Sequence, residues 1–269
     1  MRRDQTNLQI LLCIALAVLF LFANSATPHQ KTSAAGGELR VLIAVGMRQV
    51  MLDIAPKFER ATGHKLKLSF DSGGVIVERL KRGETADVVM INRQSMERLE
   101  VVQASVTDLA RTGVGVAVRK GAPKPNVSTP EAFKRAMVDA KSIACPDPAL
   151  GGSSGVHIAK VFERLGISEV VKPKLVFVST PGQEQTMPGH LVAQGKAEIA
   201  LHQMQELMSV PGIEIVGPLP GDLQEIFVFS AAVLIGANDA RAAQALIDFL
   251  RTPEARAIIK AKGMEPASI

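Results

Sequence analysis

The sequence predicts an α/β fold of two lobes, each a largely parallel sheet flanked by helices, and three observations predict it. From Glu38 onward, short runs rich in Val, Ile and Leu alternate with segments whose apolar residues recur every three or four positions. That is the pattern of strands alternating with amphipathic helices. The run 86–91 is apolar apart from Asp87, as a strand covered on both faces requires. Near Thr112 the chain changes character, and beyond the rigid loop Gly121-Ala122-Pro123-Lys124-Pro125 a second set of strands and helices appears.

Each element has a local reason. A strand at 39–45 opens the first lobe. Val50, Ile54 and Phe58 mark the buried stripe of a helix that Gly63 ends, because glycine accepts the left-handed backbone of a helix C-terminus. A strand covers 65–70, and Ser72-Gly73-Gly74 leads into a helix through Val77 and Leu80 to Gly83. The strand at 86–91 is followed by a helix around 95–102. In the second set 114–118 is a strand, and Thr129-Pro130-Glu131 caps a helix with proline in its first turn. A strand at 142–145, a helix over 154–165 stopped by Gly166, and a strand at 175–178 follow. Then come a polar loop at 179–188, a short helix, a strand at 198–201, a helix at 203–208 and a strand at 213–216. An apolar strand spans 226–235, and helices at 240–250 and 253–261 close the chain at Gly263. These elements divide as lobe I, 38–110 and 236–269, and lobe II, 111–235. A ligand is expected in the crevice beyond the C-terminal ends of the strands.

Ahead of the fold, Arg2 and Arg3 precede an apolar run of 14 residues, 10–23, and Ala23-Asn24-Ser25 puts small residues where a signal peptidase reads. Residues 1–25 therefore read as a signal peptide, which places the mature protein in the periplasm. The run is shorter than the roughly 20 residues of a bilayer-spanning helix, so a short membrane anchor is the lesser alternative. Cys13 has no small residue before it and does not resemble a lipid-attachment site. Residues 26–37 are small and polar, the composition of a disordered leader. Cys145 is then left without an internal disulfide partner and reads as a buried bystander.

The formal net charge is +5, of which Arg2, Arg3 and Asp4 carry +1, so +4 remains after processing. Basic residues are interspersed with acids, which argues against the basic stripe of a nucleic-acid binder and suits attraction of small anions into a cleft. The chain has no Trp and no Tyr. A saccharide site built on aromatic stacking is therefore not expected, since Phe58, Phe70, Phe133, Phe162, Phe177 and Phe249 all sit in apolar periodicities and read as core. His64, His157, His190 and His202 show no metal-ligand spacing, so neither metal nor other cofactor is expected.

Three strand-to-helix junctions share a composition: Gly46-Met47-Arg48, Ser72-Gly73-Gly74 and Gly151-Gly152-Ser153-Ser154-Gly155. Glycine lets the backbone approach a ligand closely, and the first amides of a helix have no partner within it. The helix dipole adds positive potential. Together the junctions form an anion cradle, although each alone reads equally well as a tight turn. Arg48, then Asn92 and Arg93, then His202 and Gln203 stand beside these junctions and are expected to face one crevice. Arginine adds a bidentate grip on a carboxylate, while the rival reading for each is a solvated rim residue. The run 151–155 also fits the G-x-S-x-G pattern of a nucleophile elbow. That motif needs a strand directly before its first glycine, and Pro146-Asp147-Pro148-Ala149-Leu150 intervenes.

The chain resembles the molybdate-binding family of bacterial solute-binding proteins, with the type 2 periplasmic binding fold. The first lobe carries the resemblance in LRVLIAVGMRQVMLDIAPKFERATG and SFDSGGVIVERLKRGETADVVMI, and the second in GGSSGVHIAKVFERLGI and GKAEIALHQMQEL. PGIEIVGPLP and the closing ALIDFLRTPEARAIIKAKG complete it. The resemblance implies an anion held by serine hydroxyls and backbone amides at the same junctions, with Ser72, Ser153 and Ser154 in those roles. Gly46 stands where the family has a serine, and Gln203 falls near its tyrosine. Arg48 and Arg93 lie where the family usually has small, neutral or acidic residues, which favours a di- or tricarboxylate over a tetrahedral dianion such as molybdate or tungstate. The implied role is that of a monomeric receptor delivering a small anion to an ABC transporter permease, without nucleic acid or cofactor. The chain also looks like the aconitate isomerases, a cofactor-independent offshoot of the same fold. That likeness implies a second reading, in which Arg48 and Arg93 grip carboxylates and His202 moves a proton, with Glu184 and Glu206 as acidic alternatives. In either reading the lobes are expected to close by a hinge motion near Val114 and Phe229.

Overall fold

A computed structural model describes residues 36–178 and 187–268. The expected signal peptide, the leader up to 35, Cys13 and Glu184 lie outside those residues. In chain order the elements are β1 (Glu38–Ala44), α1 (Arg48–Thr62), β2 (Lys65–Asp71), α2 (Gly73–Lys81), β3 (Val88–Asn92) and the one-turn α3 (Arg93–Met96). β4 (Thr107–Thr112), β5 (Val114–Arg119), α4 (Pro130–Asp139), β6 (Ile143–Pro146), α5 (Ser153–Arg164), α6 (Ser168–Val171) and β7 (Leu175–Val178) follow. The chain ends with α7 (Pro188–Ala193), β8 (Ile199–Gln203), α8 (Met204–Met208), β9 (Ile213–Pro218), β10 (Phe227–Val233), α9 (Ala240–Leu250), α10 (Pro253–Ala261) and β11 (Glu265–Pro266).

The strands form two sheets, one per lobe, in the orders β11-β4-β10-β3-β1-β2 and β7-β6-β8-β5-β9. The expected parallel character holds where strands are separated by helices: β1 is parallel to β2 and β3, and β6 to β7 and β8. The strands flanking the passages between lobes run the other way. β10 is antiparallel to β3 and β4, and β5 to β8 and β9.

Local chemistry sets the helix ends. Gly63, at φ 79°, closes α1, whose buried stripe is Val50, Met51, Ile54 and Phe58. The Ser72 hydroxyl accepts from Val75 N–H at the start of α2, and Thr129 does the same for Ala132 in α4. Such caps stabilise a helix by about 1 kcal/mol each. The core of lobe I packs Ile43, Ile54, Phe58, Met90 and Phe229, and that of lobe II packs Val116, Phe133, Met137 and Ile143. Each such side chain contributes roughly 1.5–3 kcal/mol by leaving water. Asp87, the lone acid of its apolar run, is fully buried because its carboxylate accepts from Arg40 N–H at 2.8 Å and Asn238 N–H at 2.7 Å.

Several expectations change. The strand expected at 226–235 in lobe II is β10, and it lies in the first sheet between β3 and β4, with Phe229 opposite Asn92. The second passage between lobes is therefore at 219–226 and not near 235. An apolar strand's composition marks it as buried without saying which sheet it joins. β4 was not expected at all, since Thr107-Asp108 and Arg111-Thr112 make its sequence mostly polar. The helix around 95–102 shrinks to Arg93–Met96, and Val101 instead bridges to Leu234. Phe177, expected in the core, is 43% exposed. The leader expectation ran to 37, but the Gly37 carbonyl already accepts from Lys65 N–H.

Candidate anion-binding cleft

A cavity of about 720 Å³ lies between the two sheets, within the size range of small-ligand sites. All three glycine-bearing junctions reach it. Gly46 and Arg48 come from the β1–α1 turn, Ser72 and Gly73 from the start of α2, and Gly152, Ser153 and Ser154 from the start of α5. Asn92, His202 and Gln203 line it as well. The starts of α2 and α5 thus reach one space from opposite lobes, an arrangement that favours negative charge.

Three of the candidate residues stand elsewhere. Met47 has no exposed surface and belongs to the lobe I core. Arg93 is absent from the cavity wall, and its guanidinium pairs with Asp108 at 2.7 Å on the half-exposed flank. Asp108 belongs to β4, the strand that sequence reading missed, so nothing local signalled that Arg93 would be taken up there. Gly74 serves the meeting of the lobes: a Cβ there would stand 3.0 Å from the Gly151 carbonyl oxygen and 3.1 Å from Gly151 Cα. Ser72 lines the cavity, but its hydroxyl donates across the cleft to the Leu150 carbonyl at 2.9 Å. That proton is committed to the opposite lobe.

The Arg48 guanidinium lies 4.7 Å from the centroid of the Phe70 ring, a cation–π contact that holds it at the cavity wall. Gln203 donates from Nε2 to Ser153 Oγ at 3.2 Å, and its Oε1 accepts from Gln205 Nε2 at 2.7 Å. His202 and Glu206 are both buried, and Nδ1 lies 2.7 Å from Oε2. The two groups are in close polar contact, with an angle outside hydrogen-bond geometry. The Glu206 carboxylate thus sits in the wall of the cavity with the His202 imidazole beside it.

Sequence reading missed His190, Gln205 and Lys262, which also line the cavity, and gave Glu206 only as an alternative. His190 Nδ1 accepts from Met187 N–H at 3.3 Å, leaving its other nitrogen as the donor. Lys262 is tied to Asp53 at 2.8 Å. None of these carries a motif, because each reaches the cavity from a helix end whose direction is set by packing. Cys145 is no nucleophile: burial, then Asp147 nearby, pushes its thiol up to about 12. Between β6 and α5 a single 3₁₀ turn, Pro148–Leu150, intervenes, so the G-x-S-x-G run does not follow its strand directly. Among the described residues no group of three or more His, Cys, Asp or Glu could hold a metal ion, and no helix is long and apolar enough to cross a membrane.

Comparison with known proteins bears on this arrangement. The family model for bacterial extracellular solute-binding proteins matches residues 39–265. The chain is 32% identical to an aconitate isomerase from a Pseudomonas species over 263 residues, 94% of this chain and 95% of the relative. It is also 32% identical to the molybdate-binding protein ModA of Azotobacter vinelandii over 237 residues, 86% of this chain and 91% of the relative. Among solved structures, the periplasmic molybdate-binding protein of Azotobacter vinelandii superposes with a TM-score of 0.67 at 18% identity, covering 86% of this chain and 100% of that one. The sulfate-binding protein SubI of Mycobacterium tuberculosis gives 0.70 at 16% identity, covering 86% of this chain and 88% of that one. These superpositions speak to the two-lobed fold.

Proposed function

Because the chain belongs to the bacterial extracellular solute-binding proteins, we propose that its cleft takes a small polycarboxylate and that it isomerises aconitate there by moving one proton. The observation that carries this reading is the buried His202–Glu206 pair opening onto an anion cavity beside Arg48. A passive anion receptor gains little from a carboxylate in its wall. A proton-transfer site gains a base held in place by its partner.

The step balances without a cofactor. His202 takes a proton from the methylene carbon of cis-aconitate. The electron pair of that C–H bond becomes a new double bond to the central carbon, and the former π pair takes a proton at the old vinyl carbon. The double bond has moved one position, its geometry is reset to trans, and the imidazole is regenerated. Arg48 and the first amides of α2 and α5 stabilise negative charge as it spreads into the neighbouring carboxylate. Glu206 beside Nδ1 stabilises the imidazolium. The test follows cis-aconitate by proton NMR with the purified mature protein. Appearance of trans-aconitate is expected, and unchanged substrate after prolonged incubation sinks the reading.

A second reading is favoured by a different observation. Hydrogen bonds from Ser72 to Leu150 and from Gln205 to Gly46 join the lobes across the cleft, as a receptor that closes over cargo requires. In that reading the protein is a monomeric periplasmic receptor handing the same carboxylate to an ABC transporter permease. Calorimetry with citrate, both aconitates, molybdate and sulfate separates the two. Binding of a carboxylate without conversion of cis-aconitate favours the receptor.

A further inference from the structure

We propose that Gln205 is a positioning residue that fixes the Ser153 hydroxyl as a hydrogen-bond donor to a bound anion. The proposal deepens, and rests on, the reading of the cleft as an anion site. Gln205 is buried, sits in lobe II, and bonds to both lobes. Its Nε2 lies 3.2 Å from the Gly46 carbonyl oxygen and 2.7 Å from Gln203 Oε1, and its Oε1 lies 2.6 Å from Thr112 Oγ1. Gln203 Nε2 in turn lies 3.2 Å from Ser153 Oγ.

The direction of every bond in this chain follows from one group. A backbone carbonyl can only accept, so Gly46 obliges Gln205 to present its NH2. Gln203 must then meet that NH2 with its oxygen, which turns its own NH2 toward Ser153. Ser153 Oγ therefore accepts from Gln203, and among the described residues none takes its hydrogen. That hydrogen is left for whatever occupies the cavity, and only an acceptor such as a carboxylate oxygen satisfies it. Thr112 completes the chain by donating to Gln205 Oε1. If Gln205 lost its amide, Gln203 could turn, offer its carbonyl to Ser153 and compete with the ligand for the same proton. Gly46 is part of the device: a Cβ there would stand 2.6 Å from Gln203 Oε1 and 3.2 Å from Gln205 Nε2. A side chain at that turn would displace the pair of amides.

The experiment is a double-mutant cycle read by calorimetry with cis-aconitate and with citrate as probes. Gln205→Met and Ser153→Ala are each expected to weaken binding about tenfold, with the double variant within about twofold of Ser153→Ala alone. Independent effects that multiply to about a hundredfold would show that Gln205 acts as structural support and overturn the proposal. NMR of the wild-type protein supplies a readout that needs no variant, with and without citrate. A scalar coupling across the bond from Gln205 Nε2 to the Gly46 carbonyl carbon is expected, together with contacts between the Gln203 NH2 and the Ser153 β-protons. Absence of both in both samples overturns the proposal. Failure of the wild type to bind either probe instead removes the carboxylate reading, and the NMR result still decides the polarity of the chain.

Discussion

At the scale of single residues the proposed chemistry divides into a proton mover and a grip, and the two are separable by kinetics. Replacing His202 by Asn keeps a planar polar side chain but removes the basic nitrogen. Turnover of cis-aconitate is expected to fall about 10³-fold, the order that a positioned base contributes, while affinity for citrate changes by no more than a few-fold. Equal losses in both would make His202 a ligand-holding residue. Arg48→Lys keeps the charge but loses the planar fork and its stacking on Phe70. Citrate affinity measured by calorimetry is expected to fall roughly tenfold or more, since a hydrogen bond to a charged group contributes about 1.5–3 kcal/mol. The glycine–serine junctions were legible as sequence because the chemistry of helix starts is local. The fate of Arg93 was not. Its partner Asp108 lies in β4, and no pattern near position 93 announces an ion pair fixed by strand order. Ser72 shows the same limit, since its bond to Leu150 exists only once two lobes meet.

At the scale of elements, the close approach of α2 to the turn before α5 sets how far the cleft shuts. Gly74 and Gly151 face each other backbone to backbone, and a methyl group on Gly74 would meet Gly151 at 3.0 Å. Neither backbone can yield as a flexible side chain would. Gly74→Ala is expected to hold the lobes apart and weaken citrate binding, with the far-ultraviolet circular dichroism unchanged. A variant that binds as tightly as wild type would mean that the lobes need not meet there. A second element-scale effect concerns acid stability. The Glu59 carboxylate at the end of α1 accepts from Leu66 N–H at 2.8 Å and pairs with Lys65. These contacts, the backbone bond foremost, hold it below its ordinary value of 4.5. A carboxylate whose folded value is depressed adds stability above its unfolded value and loses it as pH falls through the folded one. Glu59→Gln should therefore lower the melting temperature at neutral pH and flatten its fall below about pH 4.5, a difference that vanishes in strong acid. Most elements were legible because period and punctuation are written locally. β10 was given to the wrong lobe because sheet membership depends on which lobe the chain has just left, and β4 escaped notice because its sequence is mostly polar.

At the scale of the whole molecule, the two passages between lobes are clipped together by the Gln224 side chain, beside a backbone bond from Leu219 N–H to the Val114 carbonyl. Gln224 accepts from Val114 N–H at 2.9 Å and donates to the Val114 carbonyl at 2.8 Å, so its amide imitates a strand neighbour on the opposite passage. Gly113 makes room for it, since a Cβ there would stand 2.8 Å from Gln224 Cδ. His157 binds the same passage to α5: its Nε2 lies 2.8 Å from the Leu223 carbonyl oxygen and its Nδ1 2.8 Å from Glu225. α5 begins at Ser153 in the cleft, so it links that helix start to the second passage between the lobes. Phe229, expected near the hinge, packs in the lobe I core just after the second passage, and the lobes are expected to pivot at the Gly113–Gln224 contact. Opening and closing must turn about that clip if the two hydrogen bonds are kept. Gln224→Ala leaves the Val114 N–H without this partner, at a cost of roughly 1–3 kcal/mol in stability if it stays buried and unpaired, while the Val114 carbonyl keeps the Leu219 N–H at 3.1 Å. The ligand-free variant is expected to show a larger and broader radius of gyration by small-angle X-ray scattering than wild type. Saturation with citrate should bring both to the same value, and apparent affinity should fall in proportion to the lost population of closable molecules. Identical scattering curves in the ligand-free state would mean that the passages are stiff without the clip, and would move the pivot elsewhere.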